Sequence, residues 1–201
     1  HWIDAAKFLG CWTVRVNARG PGNGKELGDR IVESCARLSE FAAERNINIA
    51  IENHGGLSSD PDWLLSVMRQ VNLPNFGTLP DFGNFPASVN RYDAVEALMP
   101  YSKAVSAKSS RFTDDGLVAE TDYFRMMRIV RDAGYHGYVG VESGSRRQEG
   151  EADAIRKTRD LLLRIREEQG LVKPIFNGRD LTGWTKIEGG DWTVEDGAMV
   201  G

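Results

Sequence analysis

The spacing of apolar residues along this chain changes period again and again. Short apolar or alternating runs read as strands, and stretches with apolar residues every three or four positions read as helices. After a helix end at Ala5 to Leu9, "GCWTVRVN" (Gly10 to Asn17) is strand-like: Val14 and Val16 alternate with Arg15, and Asn17 closes the run. A glycine-rich loop, "ARGPGNGKELG", leads into a helix with Ile31, Cys35, Leu38 and Ala42 on one face, ending near "RNIN". "IAIEN" is the second strand, and His54-Gly55-Gly56 follows it. Ser58-Ser59-Asp60-Pro61 supplies a capping side chain and a first-turn proline. The helix they start has Trp63, Leu64, Val67, Met68 and Val71 as its apolar face.

"FGTLPDFGN" (Phe76 to Asn84) is the third strand, and Pro80 within it predicts a bulge or an early strand end. Tyr92, Val95, Leu98 and Met99 make a short helix stopped by Pro100. "KAVSAKSS" (Lys103 to Ser110) is the fourth strand. Thr121 to Ala133 is a helix with Tyr123, Met127 and Val130 on one side and Gly134 as its stop. "GYVGVES" (Gly137 to Ser143) is the fifth strand. The last helix runs from Glu151 to Glu168 with Ile155, Thr158, Leu162 and Ile165 toward the core.

Strand, loop and helix thus recur five times. Polar residues close successive strands at Glu52, Asp81, Ser106 and Glu142, spaced 29, 25 and 36 residues apart. Each interval holds one crossover, which means a parallel sheet. The chain has neither GxGxxG after the first strand nor GxxxxGK[ST], so a nucleotide-binding open sheet loses support. Functional residues at the ends of many strands favour a (β/α)8 TIM barrel, whose catalytic groups converge at one mouth. Five units would be the later part of such a barrel.

Composition narrows the classes further. The 201 residues are 41% hydrophobic and 27% charged, ordinary for a globular protein. A formal charge of -4 offers no general attraction to nucleic acid or to anionic membrane. No apolar run approaches the roughly 18 residues of a membrane span. Cys11 and Cys35 lack any ligand spacing and read as two buried thiols rather than a disulfide. The first residue is His1, with no leader, and the chain reads as a fragment of a longer polypeptide. The compartment therefore stays open between the cytoplasm and periplasm of a bacterial-type soluble protein, as does homo-oligomer formation by the full-length protein.

"IENHGG", "DFGNF" and "VGVES" followed by "EGEADAIRKTRDLL" resemble the sugar phosphate isomerase/epimerase superfamily, the xylose isomerase-like TIM barrels. This superfamily includes the ketose 3-epimerases and, more distantly, endonuclease IV. The resemblance covers about residues 1 to 168 and implies that the first three barrel strands are missing. It implies a divalent metal, Mn2+ first, with Mg2+, Co2+ or Zn2+ as alternatives, held by Glu52, Asp81 and Glu142. Where the family commonly shows "VHxKD", this chain reads Val105-Ser106-Ala107-Lys108-Ser109. Ser106 thus occupies the expected position of a His ligand, and a water or His54 would complete the coordination.

"PIFNGRDLTGWTKIEGGDWTVEDGAMVG", from Pro174, is similar to the opening of the 3-keto-disaccharide hydrolase family, a β-sandwich. Trp184, Trp192 and the short alternating runs around them read as a β-hairpin on their own account. Residues 169–174 are the expected linker and 175–201 the start of the second domain.

Carboxylates from separate strands repel one another until a cation sits between them, and carboxylate-rich sites suit hard divalent ions. The competing reading is that strand-end carboxylates cap the helices that follow. With a metal present, a ketose chelated through its carbonyl and a neighbouring hydroxyl would lose its α-proton to form an enediolate. Glu52 and Glu142 would then be the paired base and acid. Arg15, Asn17, His54, Asn84 and Lys108 are candidate substrate contacts. For Arg15 a structural salt bridge, and for Lys108 a carboxylate partner, stand as equal alternatives. Arg146 and Arg147 read as a solvated charged loop, and His136 as a surface histidine.

The expected activity is that of a metal-dependent sugar or sugar phosphate isomerase or epimerase, fused to a carbohydrate-active domain. A 3-keto-glycoside lyase or hydrolase would use the same base chemistry, and Ser106 favours a third option, a non-catalytic sugar-binding barrel. An endonuclease IV-like repair enzyme needs more histidine ligands and a basic face than this chain has. The expected partner is a small sugar, keto-sugar or sugar phosphate.

Overall fold

The computed structural model describes residues 2–21, 24–144, 150–170, 179–182, 192–196 and 198–200. The chain divides into two units, His1–Ile165 and Arg166–Gly201. The first unit begins with helix α1 (Trp2–Phe8) and strand β1 (Thr13–Val16), and continues with α2 (Gly24–Ala43), β2 (Asn48–Glu52), α3 (Pro61–Val71) and β3 (Phe76–Leu79). Then come α4 (Arg91–Leu98), β4 (Val105–Ser109), α5 (Tyr123–Asp132), β5 (Val139–Ser143) and α6 (Glu151–Glu168).

β1, β2 and β3 form a parallel sheet in that order, and β4 and β5 form a parallel pair. The junction is at Pro80, which has no N–H to give to a ladder. Strand pairing survives there as single bridges, Thr78 to Ser102 and Asp81 to Ser106. The Ser106 amide donates to the Pro80 carbonyl and the Phe82 amide to the Ser106 carbonyl, both at 3.0 Å. All five strands therefore follow one another side by side in chain order, as in a parallel barrel.

Period-two alternation sorts the side chains of each strand. Ile49 and Ile51 of β2, and Val105 and Ala107 of β4, belong to the core under the helices. Fully burying a side chain such as Ile51 contributes roughly 1.5–3 kcal/mol. Ser109 continues that outward set and shares a 2.6 Å hydrogen bond with Thr158 of α6. The alternate positions, Arg15, Glu52, Ser106, Lys108 and Glu142, share the opposite face. The central strands are the best covered: Ile49, Ala50, Ile51 and Ala107 have no exposed surface.

Helix starts follow local chemistry. Asp60 caps α3 by accepting from the amides of Asp62 (3.0 Å) and Trp63 (3.2 Å), just before Pro61. Asn90 caps α4 and Asp122 caps α5 in the same way. α2 begins at Gly24, inside the stretch expected to be loop, so Gly28 lies within it. A side chain at Gly28 would approach the Trp63 indole, 3.6 Å from the added carbon, where α2 and α3 meet. β1 starts at Thr13 rather than Gly10, because Gly10, at φ 71°, and Cys11 close the end of α1.

Three core assignments need correction. α6 buries Ala154, Thr158, Leu161 and Ile165, which turns Ile155 outward. α5 buries Met126 rather than Met127 fully. Both shifts are one residue around a helix whose apolar positions allow either face. Cys11 is exposed and only Cys35 is buried, both as free thiols, and burial pushes the Cys35 thiol up to about 11.

The second unit contains strands β6 (Thr193–Glu195) and β7 (Ala198–Val200), paired antiparallel with Val194 opposite Met199. Asp196 turns between them at φ 49°, a left-handed value that Asp tolerates. This is the hairpin expected from the sequence, and Trp192 is exposed beside it. No sandwich is formed among the described residues. Trp184 and most of the linker lie outside them, as do Arg146 and Arg147.

Candidate metal centre

Glu52 is the last residue of β2 and is 3% exposed. Asp81 follows the broken end of β3 and is fully buried. Glu142 lies on β5, directly opposite Lys108 in the register. Each offers one carboxylate oxygen within 4.8 Å of the other two.

Asn53 holds Asp81 in place. Its Oδ1 accepts from the Asp81 amide at 2.6 Å, and its Nδ2 donates to the Asp81 carbonyl at 3.0 Å. The side chain thus replaces the ladder bonds that end at Pro80. Of the two Asp81 carboxylate oxygens, Oδ1 accepts from the Gly83 amide at 2.9 Å. Oδ2 is buried and has no hydrogen-bond partner.

The two glutamates are balanced by cations. Glu52 pairs with Arg15 and accepts from Asn84 Nδ2 at 3.0 Å. Glu142 takes Lys108 Nζ at 2.6 Å and the Ser106 hydroxyl at 3.3 Å. Asp81 makes no ion pair among the described residues, and burial pushes its carboxyl up to about 7. The nearby Ser106 hydroxyl, the Gly83 amide and the charge of Lys108 oppose that rise, while the charge of Glu142 adds to it. Gly83 packs closely here: an added Cβ would lie 3.2 Å from the Lys108 side chain and carbonyl.

These features fit a divalent cation. Three hard oxygen donors converge, and Asp81 contributes a buried carboxylate oxygen without a hydrogen-bond donor among the described residues. The helix-capping alternative fails for Glu52 and Asp81, because α3 and α4 are capped by Asp60 and Asn90 instead.

The other expected site residues divide. Arg15, Asn84, Ser106 and Lys108 all contact the cluster. Arg15 and Lys108 make the ion pairs that stood as the alternative to substrate contact, and they make them with the candidate ligands themselves. Asn17 is exposed and bonds to none of the cluster. His54 is not in the carboxylate group and so does not fill the fourth position: its Nδ1 meets Arg19 Nη2 at 3.0 Å. Arg19, His54, Gly55, Gly83 and Asn84 instead line a pocket of about 440 Å³ beside Glu52.

Asn53 and Arg19 were not foreseen as site residues. Asn53 sits inside the quoted "IENHGG", and its place next to a candidate ligand was the available signal. Arg19 lies in a glycine-rich loop without periodicity, and nothing in the sequence pointed to it.

Parallel strands in chain order, with carboxylates converging at their C-terminal ends, define a TIM-barrel protein with a candidate metal centre. The chain belongs to the xylose isomerase-like TIM barrel family, which it matches over residues 1–165. No curated protein matches the sequence. Among solved structures, a magnesium complex of a xylose isomerase-like TIM barrel protein from Mycobacterium smegmatis is 18% identical, with a TM-score of 0.63. The match covers 83% of this chain and 65% of that one. A D-tagatose 3-epimerase-like protein is 21% identical at a TM-score of 0.65, over 85% of this chain and 68% of its own. 3-Keto-D-glucoside 4-epimerase from E. coli is 16% identical at a TM-score of 0.64, over 81% and 67%. At these identities the likeness is one of fold. The chain spans about two thirds of the length of these structures. No helix among the described residues is long and apolar enough to cross a membrane.

Proposed function

We propose that this chain carries the metal-binding side of a sugar isomerase or epimerase. The observation that carries the reading is the convergence of Glu52, Asp81 and Glu142 around a buried carboxylate oxygen without a partner. These three residues would hold the metal, Mn2+ first among hard divalent ions. When bound, the ion supplies positive charge to a substrate oxygen that turns negative as a neighbouring proton leaves.

The chain's own groups supply the proton transfers. One of Glu52 and Glu142, as carboxylate, takes the proton from the carbon next to the ketone, and the C–H electron pair moves into the carbonyl π system, leaving the charge on oxygen. The other, as carboxylic acid, returns a proton to the opposite face of that carbon. The two side chains end the turnover with their protonation states exchanged. Asn84 and Arg15 orient Glu52, while Lys108 and Ser106 orient Glu142.

A second reading is loss of a substituent β to the ketone of a 3-keto-glycoside, driven by the same base. The resemblance of residues 174–201 to the 3-keto-disaccharide hydrolase family favours it, and we assign residues 175–201 to the start of such a domain. Incubation of the Mn2+-loaded chain with D-fructose or D-tagatose in D2O tests the common step. Glu52→Gln and Glu142→Gln keep the side-chain size but cannot take a proton, and each is expected to abolish α-proton exchange. Exchange retained in both variants would place the base elsewhere, with Lys108 the next candidate.

A further inference from the structure

The pocket beside Glu52 has chemistry that the carboxylate cluster does not use. Arg19 pairs with no carboxylate among the described residues, yet it is held in place. Its Nη2 donates to the His54 carbonyl at 2.8 Å and meets His54 Nδ1 at 3.0 Å. A guanidinium has only donors, so Nδ1 must accept. Arg19 and His54 both line the pocket, and Arg19 Nε and Nη1 and His54 Nε2 bond to nothing among the described residues.

The surroundings keep that guanidinium accessible. Gly55, at φ 82° where side chains are disfavoured, lies next to Arg19, with Nη2 4.0 Å from where a Cβ would be. Asn84 also lines the pocket and bonds to Glu52, which joins the pocket to the candidate metal centre. The positive character is local, since the whole chain has a formal charge of -4. At the centre itself, Arg15 and Lys108 already offset two of the three carboxylates. A divalent ion would tip the balance positive on that side too.

We propose that Arg19 and His54 form a subsite for an anionic end group, and that the sugar taken here is acidic. Among the described residues the lining offers one guanidinium and no second Arg or Lys, which matches the single charge of a carboxylate better than a phosphate dianion, which usually takes more cationic or backbone donors. The substrate class is thus a keto-sugar acid, with its carboxylate in this pocket and its ketone toward Glu52. The proposal rests on the sugar-site reading only for the direction of the reacting end.

The test is binding by the full chain, without activity. D-Glucuronate, D-glucose and D-glucose 6-phosphate are titrated calorimetrically into wild-type and Arg19→Gln protein, each with EDTA and after Mn2+ loading. Glucuronate is expected to bind at least about 10-fold tighter than glucose, which corresponds to one ordinary charged contact. Arg19→Gln, an exposed-loop change, should erase that preference, and Arg19→Lys should restore only part of it. Equal binding of glucuronate and glucose, or a preference that survives Arg19→Gln, overturns the proposal. Tighter Arg19-dependent binding of glucose 6-phosphate than of glucuronate overturns the carboxylate assignment in favour of phosphate. Glucuronate preference in a protein that binds no Mn2+ would sink the metal reading and leave the subsite standing.

Discussion

The two ends of the same strands make opposite use of space. At their N-terminal ends lies a cavity of about 600 Å³, lined by Trp12 before β1, Pro100 and Ser102 before β4, and Tyr135 and Tyr138 before β5. It is the larger opening, but no carboxylate lines it, and its histidine, His136, is exposed. At the C-terminal ends the pocket is smaller, yet three carboxylates, two paired cations and an unpartnered oxygen converge beside it. Volume therefore does not mark the chemistry. What marks it is polar groups carried to one place by alternation along several strands, at the end where parallel barrels collect their loops.

The largest break in that comparison is expected from pH. Asp81 has its carboxyl raised from 3.8 to about 7 in the folded chain, chiefly by burial. Between those values the metal-free native state keeps a proton that the unfolded state has lost. The contribution of Asp81 to stability is therefore fully present below about pH 4 and is lost as pH rises to about 7, by up to ~4 kcal/mol. Chemical denaturation of EDTA-treated protein at a series of pH values measures this. Asp81→Asn should flatten the slope, while His136→Ala at the other end should leave it in place. An unchanged slope in Asp81→Asn would mean that another group titrates.

A smaller effect is expected one residue outside the ligand set. Asn53→Ala removes both hydrogen bonds to the Asp81 backbone and leaves a buried amide and carbonyl unpaired. The cost should be about 2–3 kcal/mol in stability. If Asn53 also positions Asp81, Mn2+ affinity should fall together with stability. Tyr138→Ser, at a residue 91% exposed at the opposite end, should change neither. Lost stability with unaltered metal affinity would reduce Asn53 to a structural clamp.

Much of this architecture was legible in the chain. Apolar period located every strand and α-helix of the first unit, though not the short 3-10 turn at Gly56–Ser59, and α6 matched its expected span at both ends. Recurrence of polar strand ends identified the three carboxylates, because alternation forces such residues onto one face. Other features depended on tertiary context. The outward turn of Ile155 and the burial of Met126 follow from which side of each helix meets the sheet. Glycines hid the start of α2, since Gly24 and Gly28 weaken a helix without forbidding it. The tie between Asn53 and Asp81 joins residues 28 positions apart through a strand break that only Pro80 hinted at. Arg19 gains its meaning only from His54, 35 positions away.

The smallest predicted effect concerns Ser106, where this chain differs from the histidine common in its family. The structure places it at the cluster: it is 8% exposed, bridges to Asp81 across the junction, and donates to Glu142 at 3.3 Å. A hydroxyl is a weak neutral ligand, and this one already gives its proton to a carboxylate. The proposed centre therefore has three protein ligands, with water completing its sphere. Ser106→His would add an imidazole on the same face of β4 as Lys108. Affinity should rise by about 10-fold, or ~1.4 kcal/mol. Preference should also move from Mn2+ toward Zn2+, because imidazole is the softer donor. Titrating both proteins with each ion at fixed pH reads the two effects separately. Higher affinity without a change of preference would mean that the new ring acts through Glu142 rather than on the ion. No change in either would show that position 106 lies out of reach of the metal, and that Ser106 serves only to orient Glu142.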